Sequence, residues 1–227
     1  MDSPLQQILD ALAVSVHVGQ TTMELETLAS FLLKTSGVEP AFLGYKPEGA
    51  PGPYPNVLCV SINNEVIHGI PSERVIEYGD VVSLDLGLVK DGEFDDGATT
   101  VIAGQGSAVA RRLLLATKTA LDAGCAAAKA GRTTHDIGRA IKAVADHFGF
   151  GIIKGYGGHG IGSALHLPPH IPNEPLGEPL KLTAGTRIAI EPMFSSKRGD
   201  VHTEPNGWTV KLDGGGVAAH FERTIAL

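Results

Sequence analysis

The sequence is poor in cysteine and in long apolar runs, and each shortage excludes a class of protein. Cys59 and Cys125 are its only cysteines, too few for a disulfide framework or a four-sulfur metal site. Both are interpreted as reduced, buried thiols. No apolar run approaches the roughly 20 residues that a membrane-spanning helix needs. The N-terminal stretch MDSPLQQILDALAVSV has no basic segment ahead of an apolar core, so no secretory signal is predicted and the cytoplasm is the expected compartment.

Basic residues are also scarce relative to acidic ones. Eighteen Lys and Arg against 25 Asp and Glu give a formal net charge of -7. Binding to nucleic acid without sequence preference needs a basic face, so this charge argues against a nucleic-acid partner. The remaining composition is ordinary for a globular protein, and 227 residues are enough to bury a core.

Helix signals occur twice along the chain. Apolar spacing predicts a helix over residues 4–17, and a longer helical stretch over residues 106–129. Two more helices are predicted, one between these stretches and one after them. In each, a Thr followed three residues later by an acidic residue predicts the capped start of the helix, and a later Gly predicts the end of the helix. The two copies lie 112 residues apart, at Thr21, Glu24 and Gly37 and at Thr133, Asp136 and Gly149. Gly-Tyr pairs at 44–45 and 155–156 follow them, so a duplicated half is predicted.

Short segments rich in β-branched residues predict strands around the helices. They are NVLCVSI, DVVSLDLGLV, ATTVIAG, TRIAIEPM, WTVKL and HFERTIAL. A set of helices and mostly antiparallel strands that occurs twice indicates an α+β fold with a cleft between two halves. The glycine- and proline-rich stretches 49–55, 151–179 and 213–216 are interpreted as loops.

One hairpin brings two carboxylates together. Asp91-Gly92 is a strong two-residue turn signal. If Lys90 pairs with Glu93, then Asp85 and Asp96 share a face as diagonal neighbours, roughly 7–8 Å apart at Cα, and Asp95 points away. Two carboxylates among apolar residues repel each other unless a cation compensates. The alternative is a surface hairpin with solvated aspartates.

Three further side chains are candidate metal ligands. His159 stands in a Gly-Gly-His-Gly run, and Glu191 and Glu222 stand inside apolar strands. Each alone is more often structural or solvated. Together with Asp85 and Asp96 they form an oxygen-rich set with one imidazole, which suits two divalent first-row metal ions.

These residues carry a resemblance to type I methionine aminopeptidases, which have the pita-bread fold of two pseudo-symmetric halves around a dinuclear metal cleft. The similar stretches are CVSINNEVIHGIP, SLDLGLVKDGEFDDG, GGHGIGSALH, IAIEPM, GWTVK and HFERTIAL. The resemblance covers nearly the whole chain. It implies one catalytic domain over residues 1–227 that removes the N-terminal methionine by attack of metal-activated water on the first peptide bond.

The resemblance also implies a role for each position. Asp85 is similar to the ligand of one ion, Asp96 and Glu222 to bridging carboxylates, and His159 and Glu191 to the ligands that complete the other. Glu191 would also carry the proton. His68 resembles the histidine at the scissile amide and His166 the one at the substrate carbonyl. The methionine pocket would comprise Cys59, Tyr54, Leu165 and Trp208.

The implied cofactors are two divalent ions, with Mn, Fe, Co and Zn all suitable. The implied partners are N-termini of nascent proteins or peptides, with action at the ribosome left open. No membrane partner is expected, and a monomer is expected.

The chain departs from the family pattern at several points. The segment 46–56 is longer than the usual loop, Leu165 stands where an aromatic is common, and Gly87 replaces a hydroxyl residue. His220 occupies a position where an amide is frequent, and the N-terminus is short. Three alternatives stay open: an X-Pro aminopeptidase or prolidase, a type II methionine aminopeptidase, and a non-catalytic binding module. The short spacing from His166 to Glu191 favours the type I enzyme.

Overall fold

Four helices pack against strands of the large sheet in the computed structural model, which describes residues 3–227. Their bounds are α1 Pro4–Ser15, α2 Thr22–Ser36, α3 Ala108–Ala127 and α4 Thr134–Phe148, in agreement with the helical patterns of the sequence. Within residues 3–227, no helix combines the length and apolar character needed to cross a bilayer.

The strands form one large sheet and two small ones. In chain order they are β1 Glu39–Pro40, β2 Cys59–Ile62, β3 Glu65–Ile67, β4 Val81–Lys90, β5 Glu93–Ile102, β6 Gly151–Ile152, β7 Gly157–Gly160, β8 Leu167–Pro172, β9 Arg187–Ile190, β10 Met193–Ser195, β11 Val201–Thr203, β12 Val210–Leu212, β13 Ala218–His220 and β14 Glu222–Ala226. The large sheet has the order β1-β4-β5-β14-β9-β7-β8, with β2 paired to β4. The small sheets are β13-β10-β6 and β11-β12-β3. The predicted α+β class is therefore confirmed.

The two halves begin their second helices in the same way. The backbone N–H of Thr21 donates to Glu24 Oε2 over 2.7 Å, and that of Thr133 donates to Asp136 Oδ2 over 2.8 Å. Just before these caps, Gly19 N–H donates to the carbonyl of Ile76 and Gly131 N–H to the carbonyl of Leu182. Both helices end at a left-handed glycine. The predicted duplication is confirmed at the level of single hydrogen bonds.

Each half has its own apolar core between its helices and the large sheet. In the first half, Leu12 and Leu25 pack with Leu84 and Leu86 of β4. In the second, Leu113 and Ile141 pack with Ile188 and Ile190 of β9. Each such side chain stabilises the fold by about 1.5–3 kcal/mol when fully buried. Since side chains alternate along a strand, Asp85 projects from the opposite face of β4, away from this core.

The loop interpretation of residues 151–179 is wrong for much of that stretch, which contains β6, β7 and β8. Glycine there reflects close packing. A Cβ at Gly158 would overlap the carbonyl of Ala189 on β9, and one at Gly160 would overlap the carbonyl of Pro168. Only glycine allows such an approach, so β7 can lie tightly between its neighbours.

Candidate metal centre

The hairpin β4–β5 has the register that the turn predicts. Asp91 and Gly92 adopt positive φ angles of 52° and 81°, as a tight hairpin turn requires. Lys90 pairs with Glu93 and Gly87 with Asp96, so Asp85 and Asp96 share one face as diagonal neighbours. Asp95 lies on the other face, 3.6 Å from Arg187.

Strand pairing adds the remaining candidates to the same face. Glu222 lies opposite Ala98, which is itself opposite Asp85. His159 pairs with Ala189 of β9, and Glu191 directly follows that strand. Ligand atoms of two overlapping trios lie within 4.8 Å of one another: Asp85, Asp96 and Glu222, and His159, Glu191 and Glu222. All five residues proposed from the sequence are thus brought together.

The carboxylates of this cluster are buried close to one another. Asp85, Asp96 and Glu222 have exposed fractions of 7%, 3% and 6%. Burial raises the pKa of each carboxyl group well above its usual value, and a neighbouring carboxylate raises it further: Glu222 acts on Asp85, Asp85 on Asp96, and Asp96 on Glu222. The fold holds negative charges together that repel one another in the protein alone.

Orphaned polar atoms show that the residues fit a cation. Asp85 Oδ1 and Glu222 Oε1 are buried without a hydrogen-bond partner, which is costly for a polar atom. His159 Nδ1 lies 2.9 Å from the carbonyl of Gly160. A carbonyl only accepts, so Nδ1 donates its hydrogen there, and Nε2 faces Asp96 and Glu222 at 3.8 and 3.6 Å. These carboxylate oxygens and the ring nitrogen face one another, and a divalent metal ion between them could bind all of them.

The cluster forms one wall of a cavity of about 440 Å³. The lining combines the five cluster residues with histidines, aromatic rings and small apolar groups: Phe42, Tyr45, Pro47, Tyr54, Cys59, Ile67, His68, Asp85, Asp96, Gly155, Tyr156, Gly157, His159, Leu165, His166, His170, Glu191, Trp208 and Glu222. A concave site with few, convergent polar groups is the usual form of a small-ligand pocket.

His68 and His166 both line this cavity. Burial lowers the pKa of His68 to about 4, with Glu191 acting in the opposite direction. Burial and then His159 lower the pKa of His166. Both rings are therefore neutral at pH 7, and each can donate one ring N–H. His68 adopts a left-handed φ of 58°, a backbone strain of the kind that accumulates at functional sites.

The four predicted pocket residues lie together in one apolar cluster. Tyr54 and Trp208 meet edge to face, with ring centroids 5.1 Å apart. The hydroxyl of Tyr54 donates within the protein, to the carbonyls of Leu58 and Gly69. Burial, and then the charge of Asp85, raise the pKa of the Cys59 thiol, so it stays a neutral thiol. Cys125, in contrast, is only half-buried on α3, so the prediction of a buried thiol is wrong there.

Two residues near the cluster were not assigned from the sequence. The hydroxyl of Tyr45 lies 2.7 Å from His166 Nδ1, and Nε2 of His220 lies 3.3 Å from Glu191 Oε2. Tyr45 belonged to a repeated Gly-Tyr pair, and its partner Tyr156 also lines the cavity. The repeated Gly-Tyr pair is the sequence feature that could have indicated Tyr45 as a site residue. For His220 the sequence offers only its departure from the family pattern, in which an amide is frequent at this position.

Two other departures have structural explanations. A Cβ at Gly87 would lie 2.6 Å from Cε1 of Phe42, so the absence of a side chain there makes room for an aromatic ring at the cavity wall. The longer segment 46–56 reaches the cavity through Pro47 and Tyr54. Pro51 packs so closely on Gly207 that a Cβ there would overlap it.

The chain is similar to known metallopeptidases over almost all of its length. Residues 5–227 match the model of metallopeptidase family M24. A methionine aminopeptidase of Aquifex aeolicus is 45% identical, over 97% of this chain and 87% of the relative. Methionine aminopeptidase 1 of Mycobacterium tuberculosis is 40% identical, over 96% and 83%.

Solved structures show the same architecture. The crystal structure of methionine aminopeptidase from Thermotoga maritima matches with a TM-score of 0.93 and 35% identity, over 99% of this chain and 88% of that one. A prolidase from Pyrococcus furiosus matches with a TM-score of 0.74 at 21% identity, over 99% and 58%, a likeness of fold alone. The predicted pita-bread fold is confirmed by these matches.

Proposed function

Since the chain belongs to metallopeptidase family M24, we propose that it is a type I methionine aminopeptidase, which removes the N-terminal methionine from proteins and peptides. One observation carries this proposal: the candidate metal cluster and an apolar pocket line the same cavity. A buried cluster of four carboxylates and one imidazole forms one wall of a cavity whose other walls hold Cys59, Tyr54 and Trp208. The cluster suits hydrolysis, and the soft, aromatic pocket suits a thioether side chain.

The residues that would hold the metal are the five whose ligand atoms the fold brings together. We propose that Asp85, Asp96, His159, Glu191 and Glu222 would together hold two divalent ions. When bound, such ions lower the pKa of water and polarise a carbonyl group. Mn, Fe, Co and Zn all suit this donor set, and availability selects among them in the cell.

The chain's own side chains move the proton and stabilise the developing charge. The Glu191 side chain is 14% exposed and lines the cavity, so it can accept the proton of the attacking water and pass it to the leaving amide nitrogen. His68 and His166 are neutral, and each donates a ring N–H. His68 acts at the scissile amide and His166 at the carbonyl oxygen.

The substrate's first side chain would occupy the pocket of Cys59, Tyr54, Leu165 and Trp208. Because the Tyr54 hydroxyl donates to backbone carbonyls, Tyr54 contributes an aromatic ring and no polar group to the pocket. The neutral thiol of Cys59 is equally compatible with an apolar thioether. We propose N-termini of nascent proteins or peptides as substrates, one catalytic domain over residues 1–227, a monomer, and action in the cytoplasm, including at the ribosome.

Release of methionine from Met-Ala-Ser tests the function. The purified protein is assayed after chelation, and again after addition of Mn²⁺ or Co²⁺, beside an X-Pro tripeptide. We expect release of methionine that depends on added metal and little cleavage of the X-Pro substrate. His166→Ala should lower kcat by orders of magnitude with an unchanged circular dichroism spectrum, whereas His17→Ala, at an exposed site after α1, should not.

Preferential cleavage of the X-Pro tripeptide would replace the proposal with a prolidase-like activity. Absence of any release by folded, metal-loaded protein would leave the binding-module alternative. Full turnover by His166→Ala would contradict the role given to that histidine.

A further inference from the structure

A second imidazole, that of His220, lies at the candidate centre without an assigned role. His220 ends β13, and its side chain is 1% exposed. Neither ring nitrogen has a hydrogen-bond partner. A buried imidazole without partners is unfavourable, and such groups are rare in folded proteins. A metal ion would give its ring nitrogen a partner.

The backbone holds this ring in a fixed place. Thr100 Oγ1 accepts from His220 N–H over 2.9 Å and donates to the His220 carbonyl over 2.6 Å. The same hydroxyl lies 2.8 Å from Ser83 Oγ on β4. On the other side His220 pairs with Met193. Both neighbours therefore constrain the backbone from which the ring projects toward Glu191.

The ring has the same relation to the carboxylates as the imidazole that the family pattern already assigns. His159 Nε2 lies 3.8 and 3.6 Å from oxygens of Asp96 and Glu222. His220 Nε2 lies 3.3 and 3.9 Å from oxygens of Glu191 and Glu222. The two rings face different oxygens of Glu222, Oε1 and Oε2.

The shortest of these separations matches that between two ligands of one ion. With metal–ligand distances of about 2.0–2.2 Å, neighbouring ligand atoms in tetrahedral or octahedral geometry lie about 3.0–3.5 Å apart. The 3.3 Å between His220 Nε2 and Glu191 Oε2 falls in this range. His220 Nε2 faces the place where Glu191 would hold its ion.

We propose that His220 Nε2 is a further metal ligand, so that the centre has two imidazoles. The proposal deepens the proposed function, on whose metal centre it rests. Imidazole suits zinc, iron and similar borderline metals, whereas an all-oxygen set suits manganese. His220 therefore shifts the preference of its ion away from Mn²⁺ and toward Co²⁺, Fe²⁺ or Zn²⁺.

Proton NMR of the Co²⁺-loaded full chain counts the coordinated imidazoles directly. Each histidine bound through Nε2 has an Nδ1–H, which Co²⁺ shifts far outside the normal range and which disappears in D₂O. We expect two such signals in the unaltered protein and one in His220→Gln. His17→Gln, the same change at an exposed histidine, should keep both. Calorimetry should show weaker Co²⁺ binding at one site in His220→Gln, by about tenfold or more, and a smaller loss for Mn²⁺.

A single shifted N–H in the unaltered protein would overturn the proposal, whether or not any variant folds. Two signals that both persist in a folded His220→Gln would overturn it as well, because the second would come from another histidine. Neither readout uses catalysis. Loss of methionine release with two signals present would therefore count against the proposed function and leave the ligand assignment in place.

Discussion

Replacing Asp85 by Asn should stabilise the metal-free protein and remove most of its stabilisation by metal. Ligand oxygens of Asp85, Asp96 and Glu222 lie within 4.8 Å of one another, where two unit charges repel by about 3.5 kcal/mol at an effective dielectric constant of about 20. Protonation of one carboxyl group relieves part of this repulsion. We therefore expect the free energy of unfolding of the chelated variant to rise by roughly 1–3 kcal/mol.

Metal should reverse the order of the two proteins. A ligand at 100 times its Kd stabilises the folded state by about 2.7 kcal/mol, and Asp85→Asn removes a ligand and so most of this gain. Urea unfolding of the unaltered protein and of Asp85→Asn, each with EDTA and with excess Co²⁺, gives the four free energies of unfolding. The matched control is Asp95→Asn on the same hairpin, whose carboxylate faces away and lies 3.6 Å from Arg187. That variant should lose a little stability in both conditions and keep its response to metal.

A chelated Asp85→Asn protein less stable than the unaltered one would refute the reasoning. It would mean that the buried carboxylate is stabilised by the protein itself, in contradiction to its orphaned Oδ1. An equal gain from metal in both proteins would remove Asp85 from the ligand set.

Three further predictions concern positions outside the cluster of candidate ligands. Tyr45→Phe removes the 2.7 Å contact with His166 Nδ1, and because such a bond contributes about 0.5–1.5 kcal/mol, kcat/KM for Met-Ala-Ser should fall about 2- to 10-fold. Gly207→Ala forces a side chain into a φ of +77° and into Pro51, a strain of about 1–3 kcal/mol, and should raise KM more than it lowers kcat because the 46–56 segment moves. The loss of stability caused by Asp136→Asn should become smaller as the medium becomes acidic. Hydrogen bonds from Thr133 hold the Asp136 pKa below its usual value. The carboxylate therefore stabilises the folded protein above about pH 4, and this contribution is lost as pH falls below it.

Each of these has a control or a contrary outcome. Tyr78→Phe, at an exposed tyrosine, should leave kcat/KM unchanged, and an equal loss there would make the Tyr45 effect nonspecific. Gly214→Ala, with open space around its Cβ, should leave KM unchanged. Acid unfolding monitored by circular dichroism checks the last prediction, which fails if the advantage of the unaltered protein over Asp136→Asn grows below pH 4.

Local signals in the sequence were enough to predict the first half of the site. Asp91-Gly92 determines the turn, the turn determines the register, and the register places Asp85 and Asp96 on one face. No long-range information was needed. The helix caps likewise followed from a pattern that repeats once, whereas His159, Glu191 and Glu222 lie in three separate segments and were joined to the set by their chemistry and by the family resemblance.

Contacts between distant strands could not be predicted in this way. The approach of His220 to Glu191 depends on the pairing of β13 with β10, and that of Tyr45 to His166 joins residues 121 positions apart. The glycine-rich strand β7 was missed for a related reason. Glycine favours loops locally, whereas here Gly158 is required by the carbonyl of Ala189, 31 residues later in the chain.

The position of β14 in the large sheet determines when during synthesis the centre can form. β14 pairs with β5 on one side and β9 on the other, and it carries Glu222. A chain made from its N-terminus has both earlier strands with open edges until this last strand emerges. The two halves are joined, and the Glu222 carboxylate is added to the candidate centre, in a single late event. A chain interrupted before β14 would therefore have neither a continuous sheet nor a complete metal centre.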